Sequence, residues 1–224
     1  YTIYECYSLT QMEIPDRVKK ICNDAFYDCS LVEKMTISSF VDYIGPSAFA
    51  GCSSLKEIIF ESPSSVRYFK HHIFSGCSSL EGIKIPNSVT SIENGSFYKC
   101  NLLKQITIPS SVISIDENTF NECNSIEQVI FESPSQIKKI KNNTFYLCSS
   151  LTYISIPLAV TSIGDNAFCF CTYLKQIDVP TCLVHIGNNA FKECNSLKII
   201  SFEQKDAQKE EQISLPPSLV TIGS

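Results

Sequence analysis

The segment Leu151–Cys171, with the sequence LTYISIPLAVTSIGDNAFCFC, contains the pattern that decides the fold. Ile154 and Ile156 alternate with polar residues, which is typical of a short β-strand with one buried face. Pro157 ends this strand, because proline has no N–H to donate to a strand ladder. The stretch 165–174 then has apolar residues at every third position. That spacing predicts a short helical or 3₁₀ segment with one apolar face.

The same pattern recurs along nearly the whole chain. A Phe-x-x-Cys pair returns at steps of 23 or 25 residues, at Phe26/Cys29, Phe49/Cys52, Phe74/Cys77, Phe97/Cys100, Phe120/Cys123, Phe145/Cys148, Phe168/Cys171 and Phe191/Cys194. Cys6 begins the series without its Phe. A short strand cannot bury its face alone, so each unit must stack on the next. The sequence therefore predicts one α/β solenoid of about nine units over residues 1–224.

In this solenoid, we expect parallel strands on the concave side and helical or 3₁₀ returns on the convex side. Strands stack about 4.8 Å apart and helices about 8–10 Å apart, and this mismatch would bend the stack. The glycines that follow the second apolar column, Gly45, Gly164, Gly187 and Gly223, suit a positive-φ turn. The predicted core consists of the recurring apolar columns, represented by Phe49, Cys52, Phe97, Cys100, Ile106, Ile108, Phe120, Cys123, Phe168 and Cys171.

Insertions interrupt the regular period. The 25-residue steps contain Phe-Glu-Ser-Pro-Ser, at 60–64 and 131–135, and a charged insertion occupies 203–215. The charged insertion lacks apolar periodicity, so it is interpreted either as a mobile loop or as a projection that docks a partner. The chain begins without Met and stops within the pattern, so we expect it to be a fragment of a longer protein.

The consensus Leu-x-x-Ile-x-Ile-Pro-x-Ser-Val-x-x-Ile-Gly-x-x-Ala-Phe-x-x-Cys resembles the BspA-like leucine-rich repeats. The resemblance covers Cys6 to Gly223, although Ser38 takes the place of the proline in one unit. This family occurs on surface proteins of bacteria and parasitic protozoa. The resemblance implies a non-enzymatic role in adhesion to host or extracellular-matrix proteins, and a cell-surface or extracellular location. It supplies no catalytic residues.

The cysteines and histidines do not form a recognisable metal or catalytic motif. The column cysteines lie on separate units, without the clustered Cys-x-x-Cys pairs of zinc sites. We expect these thiols to be buried and reduced, because helical returns would hold them too far apart for disulfides. Cys182, outside the column, could approach a neighbouring thiol. His71-His72 has no further ligand at useful spacing, so we expect no metal, no cofactor and no catalytic site.

Composition excludes two classes of partner. The net charge is −5 with both signs interspersed, so no basic face for nucleic acid is visible. No apolar run approaches the roughly 18 residues of a membrane span. Asn94-Gly95-Ser96 and Asn142-Asn143-Thr144 would be glycosylation acceptors in a secreted eukaryotic protein, although such triplets also arise by chance.

The outward positions of the strands are the candidate binding site. These positions vary from unit to unit, whereas the inward ones remain apolar. The candidate residues are Glu57, Ile59, Lys84, Gln105, Thr107, Gln128, Ile130, Tyr153, Ser155, Gln176 and Asp178. A polar, extended protein ligand would suit this face, and a solvated face without a ligand is the alternative. The alternative function is an architectural scaffold within a larger intracellular assembly.

Overall fold

The computed structural model describes residues 10–203 and 221–223. Cys6 and the predicted charged insertion beyond residue 203 lie outside the described residues. Each repeat forms one coil of a solenoid with a long strand, a short strand and a return segment, except that the coil around Lys84 has only an isolated bridge in place of its long strand. The long strands are β1 (Gln11–Glu13), β3 (Lys34–Ile37), β5 (Glu57–Phe60), β8 (Gln105–Ile108), β10 (Gln128–Phe131), β12 (Tyr153–Ser155), β14 (Gln176–Pro180) and β16 (Ile199–Glu203).

The short strands occupy the second apolar column. They are β2 (Lys20–Ile21), β4 (Tyr43–Ile44), β6 (Tyr68–Phe69), β7 (Ser91–Ile92), β9 (Ser114–Ile115), β11 (Lys139–Ile140), β13 (Ser162–Ile163), β15 (His185–Ile186) and β17 (Thr221–Ile222). All pairings between coils are parallel and in register, as in Ser91↔Ser114 and Ser162↔His185. The predicted parallel-strand leucine-rich-repeat solenoid is therefore confirmed.

The Phe-Glu-Ser-Pro-Ser insertion at 60–64 is accompanied by breaks in both strand ladders, and the one at 131–135 by a break in the short-strand ladder alone. The long strands form one sheet of β1, β3 and β5 and another from β8 to β16, with only an isolated bridge, Lys84↔Thr107, in the coil between them. The short strands break before each insertion-bearing coil, into groups β2–β4, β6–β7–β9 and β11–β13–β15–β17. After the insertion at 131–135, the long strands remain paired, but through the single pair Gln128↔Tyr153.

The return segments are not helical, which corrects the prediction from the sequence. Among the described residues no helix occurs, and the returns are successive turns. Two left-handed residues flank each Phe, as Asn118 (φ 56°) and Glu122 (φ 61°) flank Phe120. A right-handed helix cannot continue through left-handed residues spaced four apart.

Hydrogen bonds to the next coil explain this backbone conformation. The N–H groups of Asn118, Phe120 and Glu122 donate to carbonyls of the following coil at 3.1, 2.9 and 2.8 Å. The same alternation recurs in the other returns, so the returns form a third ladder. The expected 8–10 Å separation of the returns is therefore wrong: the stacked rings of Phe97 and Phe120 lie 5.4 Å apart. The predicted bend toward the strands loses its physical basis, and we call the outer surface of the long strands the strand face.

The core runs along the axis as columns of identical residues. The predicted core residues Phe49, Cys52, Phe97, Cys100, Ile106, Ile108, Phe120, Cys123, Phe168 and Cys171 are all buried. The rings of successive Phe residues stack from Phe26 to Phe191, with centroids 5.2–5.6 Å apart. No coil buries its apolar residues by itself, so the fold depends on the contact between neighbouring coils.

The glycine that recurs after the second apolar column has a different cause from the predicted positive-φ turn. Gly164 and Gly187 are not among the positive-φ residues. Instead, a Cβ on Gly164 would lie 2.5 Å from Asn142 Oδ1 and 2.7 Å from the backbone nitrogen of Asn142. Glycine is needed here because the preceding coil approaches too closely for a side chain.

Candidate functional site

The strand face consists of two rows of side chains that point away from the core. In strand β8, Ile106 and Ile108 are buried, whereas Gln105 is exposed and Thr107 is half-buried. The first row contains Glu57, Gln105, Gln128, Tyr153 and Gln176, and the second contains Ile59, Lys84, Thr107, Ile130, Ser155 and Asp178. The structure therefore brings all the candidate residues onto one face.

The candidate residues differ in how accessible they are. Glu57, Lys84, Gln105, Gln128 and Tyr153 are exposed. The half-buried members are Ile59, Thr107, Ile130, Ser155 and Gln176, and Asp178 is only 8% exposed. The prediction of an outward Asp178 is thus correct in direction, but its carboxylate is not freely available to a ligand.

A hydrogen-bonded group surrounds the Asp178 carboxylate. The Tyr153 hydroxyl donates to one carboxylate oxygen, and Gln176 Nε2 donates to the other at 2.9 Å. Tyr153 reaches Asp178 from the preceding coil, because their strands pair in register. The Tyr153 ring remains 41% exposed. This arrangement holds an aromatic ring rigidly on the strand face, and rigid aromatic anchors are favoured at protein interfaces.

The N-terminal part of the strand face has charged side chains paired between coils. Lys34 and Glu57 form an ion pair of 2.8 Å, and Lys56 and Glu33 form one of 3.0 Å at the edge of the face. All four side chains are about half exposed, so each pair contributes little to stability. Their main effect is to leave this part of the face nearly neutral.

A notch at Gly82 separates the charged part of the face from the polar part. An added Cβ on Gly82 would meet no atom within 4 Å, so open space lies above it. Gly82 lies in the coil where the long-strand sheet is interrupted, next to the exposed Lys84. The notch can admit a ligand side chain between Glu57 and Gln105.

The cysteine column is a ladder of buried thiols. Cys123 Sγ donates to the carbonyl of Phe97 in the preceding coil at 3.0 Å, and Cys100 Sγ does the same with Phe74 at 3.2 Å. Burial raises the pKa of Cys123 to about 12 and that of Cys100 well above its ordinary value. The column cysteines from Cys29 to Cys171 are buried, as predicted, and Cys194 is half-buried, but the expected separation of the returns was wrong. Neighbouring returns are close together, and each column thiol from Cys52 to Cys194 donates to a carbonyl of the preceding coil.

The remaining candidate motifs have structural roles. His71 Nε2 lies 3.1 Å from Glu93 Oε2, and no group of three or more potential metal ligands occurs in the described part of the chain. The glycosylation triplets end in buried hydroxyls: Ser96 donates to the Glu93 carbonyl, and Thr144 donates to the Lys141 carbonyl at 2.8 Å. These hydroxyls satisfy backbone carbonyls inside the turn.

One surface was not recognised from the sequence. The short strands and the residues just before them expose Tyr43, Tyr68 and Ile113, near lysines that form no ion pair with a described residue, although the sequence pattern indicated only a short extended stretch there. This surface could have been recognised from the sequence, because the two positions before the Ile of each short strand are mostly polar. Across residues 10–203 and 221–223, no helix long and apolar enough to cross a membrane is found.

Comparison with known proteins agrees with this geometry. A family model described as the BspA type leucine rich repeat region matches residues 1–102 and 122–213 in six copies. The unmatched stretch between them still forms strands β8 and β9.

Solved structures show the same architecture. The crystal structure of the T. pallidum leucine rich repeat protein is 25% identical, with a TM-score of 0.60, and the match covers 84% of this chain and 78% of that one. A leucine-rich repeat protein from Eubacterium ventriosum is 18% identical, with a TM-score of 0.53, over 96% of this chain and 81% of that one, which supports the fold alone. No curated protein sequence matches the chain. On the family match, this chain belongs to the BspA type leucine-rich repeat family.

Proposed function

We propose that this chain is a non-enzymatic, cell-surface adhesion module that binds a protein ligand through its strand face. The observation that carries the proposal is the in-register row from Gln105 through Gln128 and Tyr153 to Gln176. Its members project outward from a rigid ladder and differ in chemistry, whereas the inward positions are uniformly apolar. Solenoids use such extended surfaces for binding.

The shape of the face favours an extended protein segment. The notch at Gly82 admits a side chain, and the half-buried Ile59 and Ile130 offer apolar contacts on either side of Thr107. Farther along, the Tyr153 ring is held by Asp178. A host or extracellular-matrix protein that lies along the solenoid axis would contact these features one after another.

The test measures binding to a panel of immobilised extracellular-matrix and host-cell surface proteins. For any ligand found, we expect the triple variant Lys84→Ala, Ile130→Ala and Tyr153→Ala to weaken binding by at least about tenfold, because aromatic anchors dominate such interfaces. The control changes the same residue types on another surface: Lys139→Ala, Ile113→Ala and Tyr68→Ala. Unchanged affinity in the first variant, or an equal loss in both, would exclude the strand face.

A second candidate function is a scaffold within an intracellular assembly. Cys22 and Cys182 are exposed free thiols, and oxidising compartments seldom leave exposed thiols unmodified. The Cys182 thiol donates to the carbonyls of Leu158 and Val160 at 3.1 and 3.3 Å, but it remains at the surface.

Thiol labelling of the native protein isolated from its source separates the two functions. The protein is treated with an alkylating reagent and analysed by mass spectrometry. If both Cys22 and Cys182 are alkylated, the intracellular scaffold is favoured. If both are oxidised or blocked, the surface module is favoured. The buried column thiols provide an internal control, because burial and raised pKa values should prevent their alkylation in the folded protein.

A further inference from the structure

The short strands form a second ordered surface on the solenoid. We define the short-strand face as the two adjacent outward columns of this ladder. They are Lys19, Asp42, Arg67, Thr90, Ile113, Lys138, Thr161 and Val184, followed by Lys20, Tyr43, Tyr68, Ser91, Ser114, Lys139, Ser162 and His185. Within each group of paired strands, hydrogen bonds between coils keep both columns in register.

This face is basic although the chain is acidic overall. It has five cations, Lys19, Lys20, Arg67, Lys138 and Lys139, against the single carboxylate of Asp42, whereas the chain has a net charge of −5. None of these cations forms an ion pair with a described residue. Elsewhere, Lys34, Lys56, Lys70, Lys99 and Lys141 are paired with carboxylates, whereas Lys104 and Lys175 also form no ion pair with a described residue, so it is the clustering of cations that sets this face apart. The uncompensated positive charge indicates attraction for an anionic partner.

Hydroxyl groups and aromatic rings lie between the cations. Thr90 and Thr161 donate to carbonyls of the preceding coil, which leaves their oxygens able to accept hydrogen bonds. The Ser162 backbone pairs with both neighbouring coils, but its hydroxyl has no hydrogen-bond partner among the described residues, so this hydroxyl can donate and accept. Tyr43 and Tyr68 are both exposed. Hydroxyls and exposed rings are groups that bind sugar hydroxyls and sugar ring faces.

A shallow depression of about 330 Å³ lies beside the row Lys139–Ser162–His185. Its floor includes Gly164, where a side chain would collide with Asn142. That volume is at the small end of ligand sites, about 300–1,000 Å³, and suits one sugar ring rather than a folded partner.

The opposite wall of the depression has carboxylates that are already engaged. Asp165 Oδ1 accepts the backbone N–H of Asn188 at 2.7 Å, and Glu117 Oε1 accepts Asn142 Nδ2 at 3.3 Å. On the near side, Lys139 Nζ and Ser162 Oγ have no partner among the described residues. The unused donors are therefore concentrated on the wall that belongs to the short-strand face.

We propose that the short-strand face binds a linear acidic polysaccharide, with one sugar unit in the depression beside Lys139 and Ser162. The cations lie in three of the coils along the axis: Lys19 and Lys20 in the first, Arg67 two coils later, and Lys138 and Lys139 three coils after Arg67, or about 14 Å farther at the spacing of β-strands. A linear polymer with regularly spaced sulfate or carboxylate groups can meet them in turn. An anionic membrane fits less well, because the only exposed aliphatic side chains in these columns, Ile113 and Val184, lie three coils apart.

The test compares the intact chain on immobilised dextran sulfate, polygalacturonate and neutral dextran of similar length. We expect binding to the acidic polymers only, with affinity falling as salt increases. The double variant Lys138→Gln and Lys139→Gln should weaken binding by about tenfold, equivalent to about 1.4 kcal/mol. The control, Lys104→Gln and Lys175→Gln, makes the same change of charge at exposed positions outside this face.

Each outcome decides the proposal. The proposal is supported if Lys138→Gln with Lys139→Gln loses affinity while the affinity of the control changes by no more than about twofold. Comparison of dextran sulfate with polygalacturonate distinguishes recognition of sulfate from recognition of carboxylate. Equal losses in both variants would show attraction to net charge alone and overturn it. Equal binding to neutral dextran, or binding only to vesicles containing phosphatidylserine, would also overturn it. The strand-face variant should retain polysaccharide binding, so the two proposals can fail independently.

Discussion

Replacement of Phe120 by Ala tests whether the solenoid is held together by stacking between coils. Phe120 is fully buried, and its ring stacks on Phe97 at 5.4 Å and on Phe145 at 5.5 Å. Removing a buried Phe costs about 3–5 kcal/mol, and this ring has a stacked neighbour on each side. We therefore expect Phe120→Ala to lower the free energy of unfolding by about 4 kcal/mol.

The matched control is Phe191→Ala, near the end of the described core. Phe191 is only partly buried, and its described stacking partner is Phe168 at 5.4 Å. We expect a cost of about 2 kcal/mol, because the ring loses less buried area. Urea unfolding followed by circular dichroism gives the two costs, and hydrogen exchange shows whether protection is lost mainly in the coils beside the substitution. Equal costs at the two positions would refute the dependence on two stacked neighbours.

Three further experiments test the alternation, the close approach of coils and the charge pairing. Ile108→Ala should cost about 2–4 kcal/mol in urea unfolding, against under about 1 for Thr107→Ala, and equal costs would contradict the alternation. Gly187→Ala should cost about 2–3 kcal/mol by the same measurement, because its Cβ would lie 2.5 Å from the Asp165 backbone nitrogen, and an unchanged midpoint would show that the coils can separate. Partial burial alone raises the pKa of Asp116, but the hydrogen bond and charge of Lys141 outweigh it, so the pKa lies below its ordinary 3.8. The stabilisation from this lowered pKa should be complete above about pH 4 and should disappear as the pH falls through the folded pKa. The free energy of unfolding, measured across this pH range, should depend less on pH in the Lys141→Met variant.

The strands and the core could be predicted because their signals are local and repeated. Ile106 and Ile108 alternate with Thr107, and the alternation alone determines which side chains face inward. Phe and Cys recur at a fixed distance, so a stack places them in columns whatever the details of the return. The extent of a single solenoid over residues 1–224 remains a prediction.

The return segments could not be predicted from apolar spacing, because a helix and a series of turns share that spacing. The distinction lies in one left-handed residue on each side of the Phe, and the residue types vary: Asn118 and Glu122 in one coil, Asn143 and Leu147 in the next. Glutamate and leucine give no signal for this conformation. The repeated Asn before the Phe was the available signal, since Asn tolerates positive φ better than most residues.

In the candidate site as well, features set by a residue's own strand could be predicted, whereas features set by another coil could not. The alternation placed Asp178 correctly on the outward side of its strand. Its burial depends on Tyr153, which belongs to the preceding coil and could not be assigned to this contact from spacing alone. Similarly, the exposure of Gly82 follows from an interruption in the sheet, which arises from the insertion in another coil.

The hydrogen-bonded returns have a consequence for how this solenoid can bind. When all three segments of a coil are hydrogen-bonded to the next coil, every face advances by nearly the same distance per coil. Side chains such as Gln105, Gln128 and Tyr153 on one face, and Lys139 and Ser162 on another, therefore form straight rows with a constant spacing. Rows of this kind suit partners that are themselves extended and regular, which is the basis of both proposals: a protein segment along the strand face and a linear polymer along the short-strand face. Because the two faces lie on different ladders, we expect that both proposed partners can bind the same molecule at once.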